Sequence, residues 1–135
     1  MPPKFQEIEH TADRAFRIQG GDLKQLFVDA ARAVFAMQGT RSRAKPTVTR
    51  EVSVEGVDRE TLLVNWLNEL LYLQEVQKET YNRFEVLEIS DTHLRARVHG
   101  RPGSDREKLI KAATFHGLEV KQDNGGWTAT IVVDV

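Results

Sequence analysis

Three short stretches of this chain carry side chains able to hold an ion or move a proton. The first is Glu9-His10-Thr11-Ala12-Asp13. Asp13 offers hard carboxylate oxygens of the kind that bind Ca2+ or Mg2+. It equally suits an Asx-turn, in which the carboxylate accepts backbone N–H bonds, and spacing alone favours that turn. His10 can ligate a metal or act as a base, although a lone histidine is more often a hydrogen-bonded structural residue. The second stretch is Asp134-Val135, directly behind the apolar run Ile131-Val132-Val133. The Asp134 side chain and a terminal carboxylate this close repel unless a cation lies between them or water solvates both, and solvation is the plainer reading. The third is Lys111-Ala112-Ala113-Thr114-Phe115-His116, which brings a cation, a hydroxyl and an imidazole to the start of an expected strand. Lys111 also suits the C-terminus of a helix there. Glu69 is expected either to face this third region or to be an ordinary solvent-facing glutamate. Arg41, Arg43, Lys45 and Arg50 form a basic cluster, read as a solvated surface or as a contact for RNA or an acidic partner.

Established catalytic patterns do not occur. The chain has no glycine-rich loop ending in Gly-Lys-Ser or Gly-Lys-Thr, no His-Glu-x-x-His pair and no Gly-x-Ser-x-Gly elbow. Gly20-Gly21 and Gly125-Gly126 read as turns.

The elements that position these residues follow from periodicity. Alternation predicts strands over 5–9 and 14–19, closed by Gly20-Gly21. Asp22 caps a helix over 22–37, with Leu23, Leu26, Phe27, Ala30, Val34 and Phe35 as its apolar stripe. Residues 38–45 form a loop that Pro46 ends, and Val48, Val52 and Val54 mark a half-buried strand. Asp58 caps a second helix reaching about Lys78, whose stripe of Leu62, Leu63, Trp66, Leu67, Leu70 and Leu71 is the strongest in the chain and is expected at the centre of the core. Strands are predicted over 84–90 and 94–99, then a loop over 100–103. A short helix follows from Ser104 or Asp105 to about Leu109. A strand over 114–121, a turn over 123–126 and a strand over 127–133 complete the pattern. The expectation is α+β: a single domain over 1–135, two main helices packed on a largely antiparallel β-sheet.

Composition narrows the function classes. The chain has 135 residues, 40% of them hydrophobic and 29% charged, which suits one folded domain rather than a disordered tract. It has no cysteine, which removes disulfides, thiolate nucleophiles and thiolate zinc sites and suits a reducing compartment. No apolar run is long enough for a membrane span or a signal peptide, so a cytoplasmic location without membrane partners is expected. The 19 Lys and Arg residues against 20 Asp and Glu leave a net charge of −1, which argues against avid binding of nucleic acid by the chain alone.

These same segments carry a family resemblance along nearly the whole chain. Glu9-His10-Thr11-Ala12-Asp13 resembles the Glu-His-Thr-Ala-Asp signature of the archease family. The stretch from Ala30-Ala31 to Phe35-Ala36-Met37 is similar to that family's first helix, and Trp66-Leu67-Asn68-Glu69-Leu70-Leu71 to its Trp-Leu-x-Glu-Leu-Leu helix. Lys111 to His116 looks like its Lys-Ala-x-Thr-Tyr-His motif, with Phe115 in place of the tyrosine. Asp134-Val135 matches its closing Asp-Ile or Asp-Val. The match departs at Arg101, where the family usually shows Glu, and over 101–110, which lacks a histidine often found there.

The resemblance implies a non-enzymatic accessory protein that activates a GTP-dependent, RtcB-type RNA ligase in tRNA splicing or RNA repair. Such a protein promotes ligase guanylylation and multiple turnover, and meets RNA only through the ligase. It also implies a divalent metal, commonly Ca2+ with Mg2+ as the alternative, held by Asp13, Asp134 and Val135. Glu9, His10, Glu69, Lys111 and His116 are further candidates for the functional surface. Two other readings compete with this one: a metal-dependent hydrolase or phosphotransferase built on Asp13, Asp134 and His10, and a general chaperone or RNA-binding module.

Overall fold

A computed structural model describes residues 5–8, 14–39, 45–103 and 110–135, with residues 5–8 and 116 given by their backbone alone. Its elements run β1 (Phe5–Ile8), β2 (Arg14–Gly20), α1 (Leu23–Met37), β3 (Val48–Glu55), α2 (Arg59–Gln77), β4 (Glu79–Ile89), β5 (His93–Pro102), β6 (Ala112–Asp123) and β7 (Gly126–Asp134). The two helices and the antiparallel pairing agree with the expectation. The strands divide between two sheets, in the orders β1-β2-β7-β6 and β3-β5-β4. Alternation reveals which face of a strand is buried but not which strand lies beside it, so this division was not readable from periodicity.

Both helices start as their caps dictate. The Asp22 carboxylate accepts the Gln25 N–H at 2.7 Å, and Asp58 accepts the Thr61 N–H at 2.8 Å. The Thr61 amide holds the Asp58 carboxyl below its ordinary range. Each cap follows a glycine, the last residue of β2 or the first after β3, that is pressed against the helix. A Cβ on Gly20 would stand 2.7 Å from the Leu26 nitrogen, and one on Gly56 would stand 2.5 Å from the Leu62 nitrogen. Only glycine fits at either place.

The recurrence extends to topology. β2 is followed by α1 and pairs with β7, the second strand of the β6-β7 hairpin; β3 is followed by α2 and pairs with β5, the second strand of the β4-β5 hairpin. The chain therefore repeats one strand–helix–hairpin unit, with the second copy inserted between the helix and hairpin of the first. Each helix packs on the other unit's hairpin: α1 lies mainly on β4, and α2 mainly on β6. That exchange closes one shared core around Phe16, Phe27, Phe35, Trp66, Leu67, Tyr81 and Ile131, all essentially inaccessible to water. As its stripe foretold, α2 is central. Its Trp66 indole donates to the Phe27 carbonyl at 3.0 Å, binding the two helices together.

Several strands are longer than predicted. β4 begins at Glu79, not at residue 84, because Lys78 takes a left-handed conformation (φ 54°) and turns the chain from helix to strand in one residue. Glu79 is buried, and its charge disguised the strand; Arg50 supplies the compensation. β5 continues through Gly100 to Pro102, which looked like a loop. Pro102 pairs only with Glu79, beyond the reach of β3, so its missing N–H breaks no ladder. β6 spans Ala112–Asp123, with an irregular pairing to β7 between Thr114 and Glu119. The short helix expected near 104–109 lies outside the described residues.

Candidate functional site

Register brings two of the candidate segments, and the strands that flank the first, to one end of the first sheet. Ile8 stands opposite Ala15, and Arg14 opposite Val133. Asp134 stands opposite Ala112, and its carbonyl accepts the Lys111 N–H at 2.8 Å. The entry to β2, the exit of β7 and the start of β6 therefore converge. Held by this pairing, Asp134 keeps strand geometry to its last backbone bond while its side chain is exposed, and Val135 is 45% exposed. The Asp134 carboxylate has no hydrogen-bond or ion-pair partner among the described residues and is free to accept a cation. Glu9, His10 and Asp13 lie outside the described residues.

Lys111 is exposed at the same end. His116 falls inside the irregular part of β6, and its side chain is not described. Phe115 beside it is 60% exposed, an aromatic ring presented to solvent where the pairing with β7 lapses.

Glu69 lines a groove of about 360 Å³ between α2 and β3, together with Val54, Glu55, Asn65 and Asn68. It is half-buried there and not an ordinary solvent-facing glutamate. Its neighbour Asn68 makes the connection to β6. The Asn68 amide donates to the Ala113 carbonyl at 3.1 Å, and its carbonyl accepts the Ala113 N–H at 2.7 Å. One side chain thus satisfies both backbone groups of Ala113 as a neighbouring strand would, and fixes β6 two residues from Lys111. Sequence reasoning passed over Asn68. The available signal was an asparagine, a poor helix former, inside the helix with the strongest leucine stripe of the chain.

The basic cluster resolves differently from its first appearance. Arg50 donates from Nε to Glu79 Oε1 at 3.0 Å and from Nη2 to Glu79 Oε2 at 2.7 Å, and the Tyr81 hydroxyl donates to Glu79 Oε1 at 2.8 Å. Hydrogen bonding to Arg50 pulls the Glu79 carboxyl below its ordinary range against the opposing effect of burial, while burial first and Glu79 second push the Tyr81 phenol far above its own. Arg50 is therefore occupied in closing the second sheet onto α2 and is not a free contact for RNA. Arg41 and Arg43 are outside the described residues.

A hydroxyl–imidazole–carboxylate series occurs on the outer face of the second sheet. Thr49 Oγ1 and His99 Nδ1 are 2.9 Å apart, and His99 Nε2 and Glu85 Oε1 are 2.6 Å apart. The tautomer that satisfies both contacts has Nε2–H donating to Glu85 while Nδ1 accepts from Thr49. The contact with His99 holds the Glu85 carboxyl below its ordinary range. The series lies beside the Arg97–Glu51 and Arg95–Glu88 pairs and stitches β3, β5 and β4 together across a solvated face.

Among the described residues no group of three or more His, Asp or Glu side chains is placed to hold a metal. Asp134 and Val135 supply only oxygen donors, which in kind suit a hard cation such as Ca2+ or Mg2+. No described helix is long and apolar enough to cross a membrane.

Comparison with known proteins decides the relationship. Residues 5–135 match the model of the Archease protein family. The chain belongs to the archease family. It is 38% identical to Protein archease of Methanosarcina acetivorans over 140 residues, covering 98% of this chain and 96% of that one. It is 34% identical to Protein archease of Methanosarcina mazei at the same coverage. The solution structure of Methanobacterium thermoautotrophicum protein 1598 is similar at 30% identity and a TM-score of 0.79, covering 97% of this chain and 98% of that one. The crystal structure of an archease, described as a possible chaperone, from Thermotoga maritima shares the fold with a TM-score of 0.70 at 23% identity, covering 96% of each chain. Among archeases, then, this chain offers the end of the first sheet, with Asp134, Val135 and Lys111, as its candidate site.

Proposed function

We propose that this archease is a non-catalytic activator of an RtcB-type RNA ligase in tRNA splicing or RNA repair, working through a surface at the end of the first sheet. The observation that carries this reading is the register that sets the entry to β2 beside Val133, with the Lys111 N–H bonded to the carbonyl of the next residue, Asp134. It agrees with the order in which the family's motifs occur. Asp13, Asp134 and Val135 would hold a divalent cation, most simply Ca2+, which would neutralise carboxylates at that end and stiffen the surface presented to the ligase. Lys111 adds the positive charge that complements a phosphate or an acidic group on the partner.

An activator of this kind acts by binding one state of the ligase better than another, so its effect is limited to that difference in affinity. It raises the fraction of ligase competent for guanylylation and returns stalled ligase to further cycles. The description of the Thermotoga maritima relative as a possible chaperone suits the same non-catalytic assistance. The cytoplasm, where such RNA processing takes place, is the corresponding location.

The test uses purified cognate ligase with RNA bearing a 2′,3′-cyclic or 3′-phosphate end and a 5′-hydroxyl end. The chain alone is expected to give no ligation, and substoichiometric amounts are expected to convert a single-turnover ligase into a multiple-turnover one. A ligase whose guanylylation rate and turnover number are unchanged by the protein defeats the proposal.

A further inference from the structure

We propose that β3 is a docking edge that accepts an extended, lysine- or arginine-bearing segment of a partner protein as an added strand. Four strands lie at sheet edges: β1 and β6 in one sheet, β3 and β4 in the other. Three of them are blunted. β1 has four residues. β6 pairs irregularly with β7, and Asn68 occupies its outer edge at Ala113. β4 shifts register twice against β5 and lies under α1. Among the described residues β3 has only one of these protections, a side chain that closes its last residue, Glu55. Its eight residues pair with β5 without a break, and they include no proline and no lysine. A regular edge left open along most of its length is a template for another strand.

The backbone groups on offer can be identified. The Gly56 N–H points to β5, donating to Thr92 at 3.0 Å, whereas the Glu55 carbonyl points the other way and accepts from Asn65 at 2.7 Å. Backbone groups alternate along a strand, so Ser53 and Glu51 also direct their N–H and C=O away from β5. Both residues are exposed. Asn65 therefore closes the outer edge at Glu55, and the open stretch begins at Ser53.

Charge selects the occupant. The groove where β3 meets α2 carries Glu55 and Glu69, and neither carboxylate has a partner among the described residues. A strand laid on Ser53 and Glu51 brings an alternate side chain to that groove, where a lysine or arginine would be attracted and an aspartate or glutamate repelled. Glu51 already faces Arg97, so the free negative charge lies at the Glu55 end.

The experiment uses the full chain, isotopically labelled, with a blocked nonapeptide of alternating valine and lysine as probe and its valine–glutamate counterpart as control. The expected result is that the lysine peptide slows solvent exchange of the Glu51 and Ser53 amides at least tenfold, and that the glutamate peptide does not. Ser53→Pro removes one outward N–H at an edge position that tolerates proline and is expected to abolish binding with little change in the denaturation midpoint. Glu55→Gln with Glu69→Gln is expected to weaken binding several-fold and still show the protection at saturation. Unchanged exchange of both amides at saturating lysine peptide overturns the proposal, as does equal binding of the two peptides. The exchange readout stands even if the proline variant fails to fold.

Discussion

Gln38 and Gln74 form a reciprocal amide pair inside the protein. Each side chain donates to the other, at 3.0 and 3.1 Å, and both are buried. They stand 36 positions apart in sequence. The same interval separates Gly20 from Gly56, Asp22 from Asp58 and Leu26 from Leu62, the residues that begin the two helices. Equivalent positions of the two strand–helix–hairpin units thus meet each other at this pair, where only a self-complementary group such as a carboxamide satisfies both sides. Gln38 Oε1 also accepts the Ile110 N–H at 3.1 Å, so the pair anchors the chain as it enters β6.

Removing one amide leaves the other buried without a partner. Gln74→Leu is expected to cost about 1–3 kcal/mol, the penalty for one unsatisfied buried polar group. Gln38→Leu is expected to cost more, because it strands both the Gln74 amide and the Ile110 N–H. The double leucine variant should lose less than the sum of the single variants, since the orphaned partners disappear together. Urea denaturation of the four proteins measures all three values; strictly additive losses would mean that the amides do not act as a pair.

Asn68 offers a sharper geometric prediction. Asn68→Asp keeps an acceptor for the Ala113 N–H but sets a carboxylate oxygen against the Ala113 carbonyl, and Asn68→Leu removes both bonds. Each is expected to destabilise by roughly 1–3 kcal/mol, with faster solvent exchange of the Ala113 amide in the leucine variant than in the aspartate variant. Identical exchange rates would show that Asn68 does not hold β6.

Much of this architecture was legible from local rules. Asp22 and Asp58 announced their helices, and the leucine stripe of α2 announced the core, because caps and periodicity act over a few residues. What stayed hidden depended on distant partners. Glu79 fell between the predicted helix and the predicted strand, because its buried charge is matched only by Arg50 across the sheet, and Arg50 read as part of a solvated or RNA-facing cluster for the same reason. Asn68 drew no notice, because its partner, the Ala113 backbone, lies 45 positions away. At the candidate site, the sequence suggested a meeting of the Asp13 segment with Asp134, and the β2–β7 register brings Arg14 beside Val133 without describing Asp13 itself. Glu69 lines the groove beside β3 together with Asn65 and Asn68, which the helical spacing of α2 sets on one face.

Acid should loosen the second sheet first. Hydrogen bonds to Arg50 depress the Glu79 carboxyl in the folded protein, so the group binds fewer protons folded than unfolded. Its contribution to stability is therefore full above the unfolded carboxyl range, near 4.5, and is lost as pH falls through the lower folded value. Glu79→Gln is expected to be less stable than the parent at pH 7, with the difference narrowing below pH of about 4. It retains an acceptor for the Tyr81 hydroxyl; Glu79→Ala removes it and should cost about 1–3 kcal/mol. Thermal denaturation between pH 7 and pH 3 checks the sign, and a gap that widens toward acid would contradict it.

The metal proposal is best tested at Asp134, the described carboxylate of the suggested set. Calcium that binds only the folded protein raises its stability by about 2.7 kcal/mol at a concentration one hundred times the dissociation constant. Asp134→Asn preserves size and removes the charge, and it is expected to weaken calcium binding by roughly tenfold or more, about 1.4 kcal/mol per tenfold. Asp13→Asn should do the same. Residues appended after Val135 replace a carboxylate with an amide and should also weaken binding, whereas an addition before Met1 should not. Lys111→Ala removes a nearby positive charge and is expected to tighten calcium binding slightly, by an amount that shrinks as salt screens the repulsion. Calorimetric titration of the six proteins with CaCl2 gives the affinities directly. Equal binding by the parent and Asp134→Asn would remove that carboxylate from the site. Equal binding by the two extended chains would remove the Val135 carboxylate from the site and leave its carbonyl oxygen as the donor.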